Sequence, residues 1–215
     1  PRWPGGARVA LSFVLNYEEG AENTVLNGDA GSELYLHEVA SHGWRWFDYH
    51  DVPEDVERAH IAACVETITR LCGRPPVGWY TGRISPRTRR LVAEQGGFLY
   101  DSDAYDDDLP HYVEVAGKPQ LIIPYTLDNN DMKFAVPPGF TSNDGYEQHL
   151  RDALDLLRRE GGRMMSVGMH CRLVGRPARA AALSRFLDHA AACPDVWVAT
   201  REEIARHWLR EHPPK

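Results

Sequence analysis

The sequence predicts a parallel α/β domain, and three observations support this fold class. Residues 8–17 (RVALSFVLNY) form a nearly continuous apolar stretch, which is typical of a strand buried on both faces. Short apolar stretches then alternate with amphipathic segments of helical period, as in repeated strand–helix units. Five of the predicted strands end in polar residues, and in (β/α) barrels such strand ends form the active site. Both a (β/α) barrel and a doubly wound sheet fit this pattern.

The other elements follow in chain order. A polar, glycine-rich loop over residues 20–33 precedes a helix that Asp51 caps and Gly73 ends. The apolar stripe expected on this helix consists of Val56, Ile61, Cys64, Ile68 and Leu71. Further strands are expected at 77–80, 98–100, 121–127, 164–169 and 196–199. Further helices are expected at 85–96, 144–160 and 176–192, and from Thr200, which forms a capping box with Glu203.

Length, composition and charge favour one globular domain spanning residues 1–215. The chain is 43% hydrophobic, and its formal net charge is -7. Because phosphate binding needs a basic surface, the acidic balance argues against a nucleic-acid partner. No signal peptide or apolar run of transmembrane length is visible, so no membrane association is expected. The four cysteines fit neither a zinc knuckle nor a CxxC motif, which favours free thiols in a cytoplasmic protein.

Chemically able side chains cluster after the predicted strands, in the tracts NYEEG, WYTGR, YDSD, YTLDNND and GMHCR. In a barrel these tracts would line one pocket at the carboxyl ends of the strands. The candidate residues are Glu18, Glu19, Tyr80, Arg83, Asp103, Asp128, Asn130 and His170. Polar residues also follow strands simply because loops are solvated, and that alternative explains any one of them equally well.

Two long tracts, NYEEGAEN at 16–23 and GMHCRLVGRP at 168–177, resemble the metal-independent allantoinases of the polysaccharide deacetylase superfamily. The tracts SHGWRWFDY and PYTLDNNDMKF resemble the same group, in the same order. The resemblance implies a distorted (β/α) barrel with fewer strands than a TIM barrel. It also implies opening of the hydantoin ring of allantoin, a small-molecule substrate, to allantoate in purine degradation, by a homo-oligomer.

The deacetylase pattern is altered here where it would bind metal. Its Asp-Asp pair reads Glu18-Glu19, and its His-x-x-x-His motif keeps His42 but has Trp46 at the second histidine. A catalytic zinc normally has three protein ligands, and an indole offers no lone pair. Trp46 is expected to fill the vacant position with apolar bulk and to dry the pocket. We therefore expect neither a metal nor any other cofactor.

The resemblance also suggests a role for each site residue. Glu18 is the expected base that activates water, and Glu19 would hydrogen-bond the substrate or hold His42. His170, which matches a late histidine of the deacetylases, would be the general acid or would stabilise the oxyanion with His42. The expected substrate-binding residues are Trp46, Tyr80, Arg83, Asp128 and Asn130.

One departure from the resembled enzymes concerns chain length. Here Val39 runs almost directly into His42, where those enzymes have a long stretch, so a segment is expected to be absent near Val39. Three alternative functions stay open. The protein could hydrolyse a cyclic imide or another cyclic amide, or it could be a metal-dependent polysaccharide N-deacetylase. If it is truly truncated, it could be an inactive binding protein.

Overall fold

A computed structural model describes residues 1–16, 40–46 and 48–214, and strands alternate with helices along that part of the chain. The strands are β1 (Val9–Asn16), β2 (Gly78–Trp79), β3 (Tyr100–Asp101), β4 (His111–Val115), β5 (Lys118–Ile122), β6 (Arg163–His170) and β7 (Val196–Val198). The helices are α1 (Glu54–Cys72), α2 (Thr88–Gln95), α3 (Asn143–Glu160), α4 (Cys171–Val174), α5 (Pro177–Ala191) and α6 (Arg201–Glu211).

Strand β1 is the centre of a parallel three-stranded sheet with the order β6-β1-β7. Successive residues of β1 pack into different parts of the core. Leu11 contributes to a cluster with α3 and α5, while Ala10 lies in a second cluster with Tyr100 and Ile204. Both Ala10 and Leu11 are completely buried. The prediction of a strand buried on both faces is therefore confirmed, and so is the α/β fold class.

A second sheet has the order β2-β3-β5-β4 and includes a hairpin that the sequence did not predict. Strands β4 and β5 pair antiparallel, and the turn between them places Ala116 at φ 51° and Gly117 at φ 75°. Such a turn suits a two-residue hairpin loop. The strand predicted at 121–127 instead ends at Ile122, and Pro124 soon after it has no N–H for a ladder.

The helices match their predicted positions with local corrections. Thr200 and Glu203 form the predicted capping box, and Gly73 ends α1 at φ 72°. The prediction that Asp51 caps α1 is wrong, because Pro53 occupies the N-cap without a side-chain bond. Part of the predicted stripe is also wrong. Ile61 and Cys64 are buried against α2, but Val56 and Leu71, near the two ends of this long helix, are each 37% exposed. Within the described ranges, no helix is long and apolar enough to cross a membrane.

We expect Gly78→Ala to destabilise the protein by about 3 kcal/mol, the upper end of the typical cost of overpacking a core. A Cβ at this position in β2 would lie 2.1 Å from Cζ of Tyr100, which is 1% exposed. Urea unfolding measures the change. Gly73→Ala is the control, because its Cβ would meet no atom within 4 Å and only the positive φ is strained. Equal losses in the two variants would contradict the steric explanation.

Candidate active site

The carboxyl ends of the strands converge, as the sequence predicted. Asn16 ends β1 and is the register partner of His170, which ends β6. The Asn16 amide donates to the hydroxyl of Tyr125 at 2.6 Å and to the carbonyl of Met169 at 3.1 Å. Three strand ends therefore meet at one point, because Tyr125 follows β5.

His170 and Asp131 form a buried pair at this point. His170 Nδ1 lies 2.6 Å from Asp131 Oδ1, and the two residues are 5% and 0% exposed. The second carboxylate oxygen accepts from the backbone N–H of His170 at 2.9 Å and of Val174 at 3.0 Å. A carboxylate bound to Nδ1 holds the imidazole in one orientation and makes Nε2 the atom for proton exchange. The pair is thus arranged for general acid–base chemistry.

Asn130 positions this aspartate. Its side chain accepts from the backbone N–H of Met132 at 3.0 Å and so caps the short 3₁₀ turn 131–134. Its backbone forms a bridge with Gly168 of β6, and it is 3% exposed. A Cβ on Gly168 would lie 2.4 Å from the Tyr125 hydroxyl, so only glycine fits there. The structure gives Asn130 a framework role, and its predicted contact with substrate stays a prediction.

A group of aromatic side chains extends from Tyr125 towards His42. The hydroxyls of Tyr80 and Tyr105 are 2.9 Å apart, and the rings of Tyr80 and Tyr125 are 4.7 Å apart. The His42 ring contacts Tyr80 edge-on, with centroids 5.0 Å apart. Burial raises the pKa of Tyr80, so its hydroxyl keeps its proton at neutral pH. This group, Tyr80, Tyr105 and Tyr125, is called the tyrosine cluster below.

Asp103 supports the turn that carries Tyr80. Its carboxylate accepts from the backbone N–H groups of Thr81 at 3.0 Å and Gly82 at 2.7 Å. Burial, together with repulsion from Asp101, raises the pKa of Asp103 to about 7. Arg89 contacts the side chain of Asp101 at 3.1 Å. Asp103, predicted as a pocket residue, thus fixes a backbone turn at the edge of the site.

Trp46 does not fill a closed pocket, so that expectation is wrong. The residue is 45% exposed, and the guanidinium carbon of Arg83 lies 3.8 Å from the centre of its ring. A cation resting on the electron-rich face of an indole is a favourable contact. The structure thus pairs two of the predicted substrate-binding residues with each other.

One ligand position of the deacetylase metal is altered in the described residues. Trp46 offers no ligand atom there, and the guanidinium of Arg83 lies over its ring. Across the described residues, three ligand atoms come close enough together to hold a metal only at Asp155, His189 and Cys193, a group that does not include His42.

Asp128 lies at the surface, with its side chain 81% exposed and 3.6 Å from the ammonium of Lys133. It lines a cavity of about 390 Å³ that also touches Tyr105 and Tyr125. His170 is not among the described residues that line this cavity. The cavity thus borders the tyrosine cluster without reaching the His170–Asp131 pair, and the predicted role of Asp128 stays a prediction.

The remaining site residues are two glutamates that were predicted and three side chains that were not. Glu18 and Glu19 lie outside the described residues, so their roles stay predictions. Sequence reasoning missed Asp131, Tyr105 and Tyr125 as site residues. The signal for Asp131 was present, since it ends the tract DNND after a predicted strand and a buried histidine commonly binds a carboxylate.

Comparison with known proteins agrees with the fold. No protein-family model matches the chain. A protein of Schizosaccharomyces pombe named "Putative polysaccharide deacetylase" is 34% identical, over 99% of this chain and 94% of its own length. This chain belongs to the polysaccharide deacetylase family, and it is therefore a hydrolase of that superfamily.

Two solved structures are similar over nearly the whole chain. The "probable Polysaccharide deacetylase" of Pseudomonas aeruginosa PAO1 is 44% identical, with a TM-score of 0.89 over 99% of this chain and 95% of that one. The structure named Puue Allantoinase is 42% identical, with a TM-score of 0.90 over 99% of this chain and 94% of that one.

The alignment with the yeast protein also bears on chain length. It extends over 300 residues, although this chain has 215. Part of the relative therefore has no counterpart here, which agrees with the expectation that a segment is absent. The position of that segment near Val39 stays a prediction.

Proposed function

We propose that this protein hydrolyses the hydantoin ring of allantoin to allantoate and that it does so without a metal ion. The observation that carries this proposal is the 42% identity to Puue Allantoinase, at a TM-score of 0.90 over nearly all of both chains. The proposal goes beyond family membership, because the family alone defines only a hydrolase.

The reaction is hydrolysis of a cyclic amide. The oxygen of water attacks the ring carbonyl, the ring C–N bond breaks, and the departing nitrogen takes a proton while the carbon becomes a carboxylate. Water is a weak nucleophile, so a base must accept its proton. We assign that role to Glu18.

The buried histidine pair suits the second proton transfer. His170 Nδ1 is bound to Asp131, so Nε2 can donate a proton to the departing nitrogen. The Asp131 carboxylate also keeps the imidazole in the orientation that this step needs. The protonated hydroxyl of Tyr80, next to His42, could donate to the oxyanion of the tetrahedral intermediate.

Absence of a metal requirement is supported by the donor set around His42. Trp46 replaces a histidine ligand, and the Arg83 guanidinium occupies the face of its ring. Two ligands, Glu19 and His42, are fewer than a catalytic zinc normally has.

A metal-dependent polysaccharide N-deacetylase is the second candidate, and the names of the yeast relative and the Pseudomonas aeruginosa structure favour it. Hydrolysis of another cyclic amide or imide needs the same chemistry in a different pocket. An inactive binding protein is the outcome if the shorter chain has lost a required part of the site.

We expect purified protein treated with EDTA to convert allantoin to allantoate at the same rate as untreated protein. The same preparation should release no acetate from N-acetylglucosamine oligomers, with or without added Zn²⁺. Acetate release that EDTA abolishes and Zn²⁺ restores would show a deacetylase instead. Turnover of hydantoin or succinimide but not allantoin would show a different cyclic amidase, and no turnover of any substrate would show an inactive protein.

A further inference from the structure

Three side chains able to bind a metal lie together near the C-terminal ends of α3 and α5. Asp155 on α3, His189 on α5 and Cys193 just after α5 each offer one ligand atom, and these atoms all lie within 4.8 Å of one another. We propose that this group binds a divalent transition-metal ion, with Zn²⁺ the best chemical match. The group is called the helix-end site below.

The geometry is close to what zinc requires. With bonds of about 2.0–2.3 Å, the ligand atoms of a tetrahedral zinc lie about 3.3–3.8 Å apart. His189 Nε2 is already 3.1 Å from Asp155 Oδ1, so only small side-chain movements are needed. A thiolate, an imidazole and a carboxylate suit zinc, whereas Mg²⁺ and Ca²⁺ prefer oxygen alone. Water would complete the coordination.

The backbone around the helix-end site is held by core packing. Helices α3 and α5 contact each other through buried side chains that include Leu154, Phe186 and Ala190. Cys193 is 8% exposed, and its backbone N–H donates to the carbonyl of Ala190 at 3.1 Å. Ligands held in this way lose little conformational entropy when a metal binds.

Neighbouring charges can rearrange without leaving an unpaired ion. Asp155 Oδ1 accepts from Arg158 at 3.1 Å, and Arg158 also donates to Asp195 through two nitrogens, at 2.9 and 2.7 Å. A metal that takes Asp155 therefore leaves Arg158 paired with Asp195. Arg151, which lies 3.4 Å from His189 Nδ1, is likewise paired with Glu147.

Binding should release a proton from the thiol. Cys193 Sγ donates to the carbonyl of His189 at 3.2 Å, and burial raises the pKa of this thiol. A metal must displace that proton, because the thiolate is the ligand.

The helix-end site is separate from the candidate active site. Asp195, two residues beyond Cys193, accepts from the backbone N–H of Arg8, next to the start of β1. His170 lies beside the far end of β1, eight residues away, which corresponds to about 25 Å along a strand. A metal here would connect α3 to α5 and stabilise the fold, and it would take no part in hydrolysis.

A Co²⁺ titration of tag-free, metal-stripped protein tests the proposal. We expect one equivalent to give the near-ultraviolet charge-transfer band of a cobalt–thiolate bond. Cys193→Ser should abolish the band, and Asp155→Asn should weaken binding at least about 10-fold. Cys171→Ser is the control and should keep the band, because Cys171 follows His170 at the other end of the sheet. Allantoin turnover by Asp155→Asn should be unchanged, which separates this test from that of the proposed function.

A second measurement uses Zn²⁺ and thermal unfolding. An ion that binds only the folded state raises Tm, so Zn²⁺ should raise the Tm of the wild type and leave that of Cys193→Ser unchanged. Absence of a thiolate band in the wild type would overturn the proposal. Persistence of the band in Cys193→Ser, or its loss in Cys171→Ser, would do the same. If Cys193→Ser does not fold, wild-type affinity in Asp155→Asn would refute the site.

Discussion

Asp131→Asn should lower the turnover number for allantoin by about 10²- to 10⁴-fold, the range seen when the carboxylate behind a catalytic histidine is lost. Three groups now donate hydrogen bonds to the carboxylate of Asp131. These groups are His170 Nδ1 and the backbone N–H groups of His170 and Val174. In the variant, the NH₂ group of the asparagine would face one of these donors without an acceptor between them. The imidazole would then adopt the wrong tautomer or orientation, while KM should change much less than the turnover number. Steady-state kinetics measures both.

Asp155→Asn is the matched control for this experiment. It also removes a carboxylate that contacts a histidine, with Asp155 Oδ1 3.1 Å from His189 Nε2, but at the opposite end of the sheet. Its turnover should equal that of the wild type. A similar fall in both variants would mean that the loss reflects general damage to the fold. Near-wild-type turnover in Asp131→Asn would remove the pair from the mechanism.

Arg201→Met should reduce the free energy of unfolding by about 3–5 kcal/mol, the loss expected when a buried charged group that satisfies several partners is removed. Arg201 is 6% exposed and opens α6. It donates to the hydroxyls of Ser166 on β6 and Ser102 after β3, each at 2.8 Å. It also donates to the carbonyls of Ile123 and of Pro124 after β5. The variant would leave these acceptors buried without their donor.

Arg206→Met provides the comparison, since it removes another arginine from the same helix. Arg206 pairs with Glu202 one turn away, and its side chain is 58% exposed. Exposed pairs of this kind contribute about 0.5 kcal/mol or less. In urea unfolding, the loss in free energy of unfolding should therefore be several-fold larger for Arg201→Met than for Arg206→Met. Equal losses would show that Arg201 does not join the two sheets energetically.

Local patterns in the sequence predicted much of the fold. The apolar run at 8–17 and the Thr200–Glu203 capping box depend on neighbouring residues alone, and both are confirmed. The hairpin at Ala116 and Gly117 was missed because alanine rarely adopts a positive φ, so this pair gives no hairpin signal. Asp51 was predicted as a cap from residue type, but the helix starts later, with Pro53 at its N-cap.

The sequence predicted where the candidate site lies, but it did not predict which side chains contact each other there. Strand ends located His170, and the chemistry of the tract DNND marked its neighbourhood. Which carboxylate reaches the histidine depends on how the turn after Asn130 folds against β6, a contact between residues 39 positions apart. The stacking of Trp46 on Arg83 likewise depends on how distant parts of the chain fold together. Residue type alone suggested that Trp46 would be buried.

Asn16 and His170 are register partners in the β1–β6 ladder, so the pairing of these core strands fixes the geometry of the site. The two residues are the last of eight consecutive partners in the β1–β6 ladder, and both strands are largely buried. A slip of one residue would move every side chain of β1 to the opposite face of the sheet and into the wrong core cluster, so folding selects against a misaligned site. The position of His170, and with it that of the His170–Asp131 pair, is therefore set by the same pairing that builds the core.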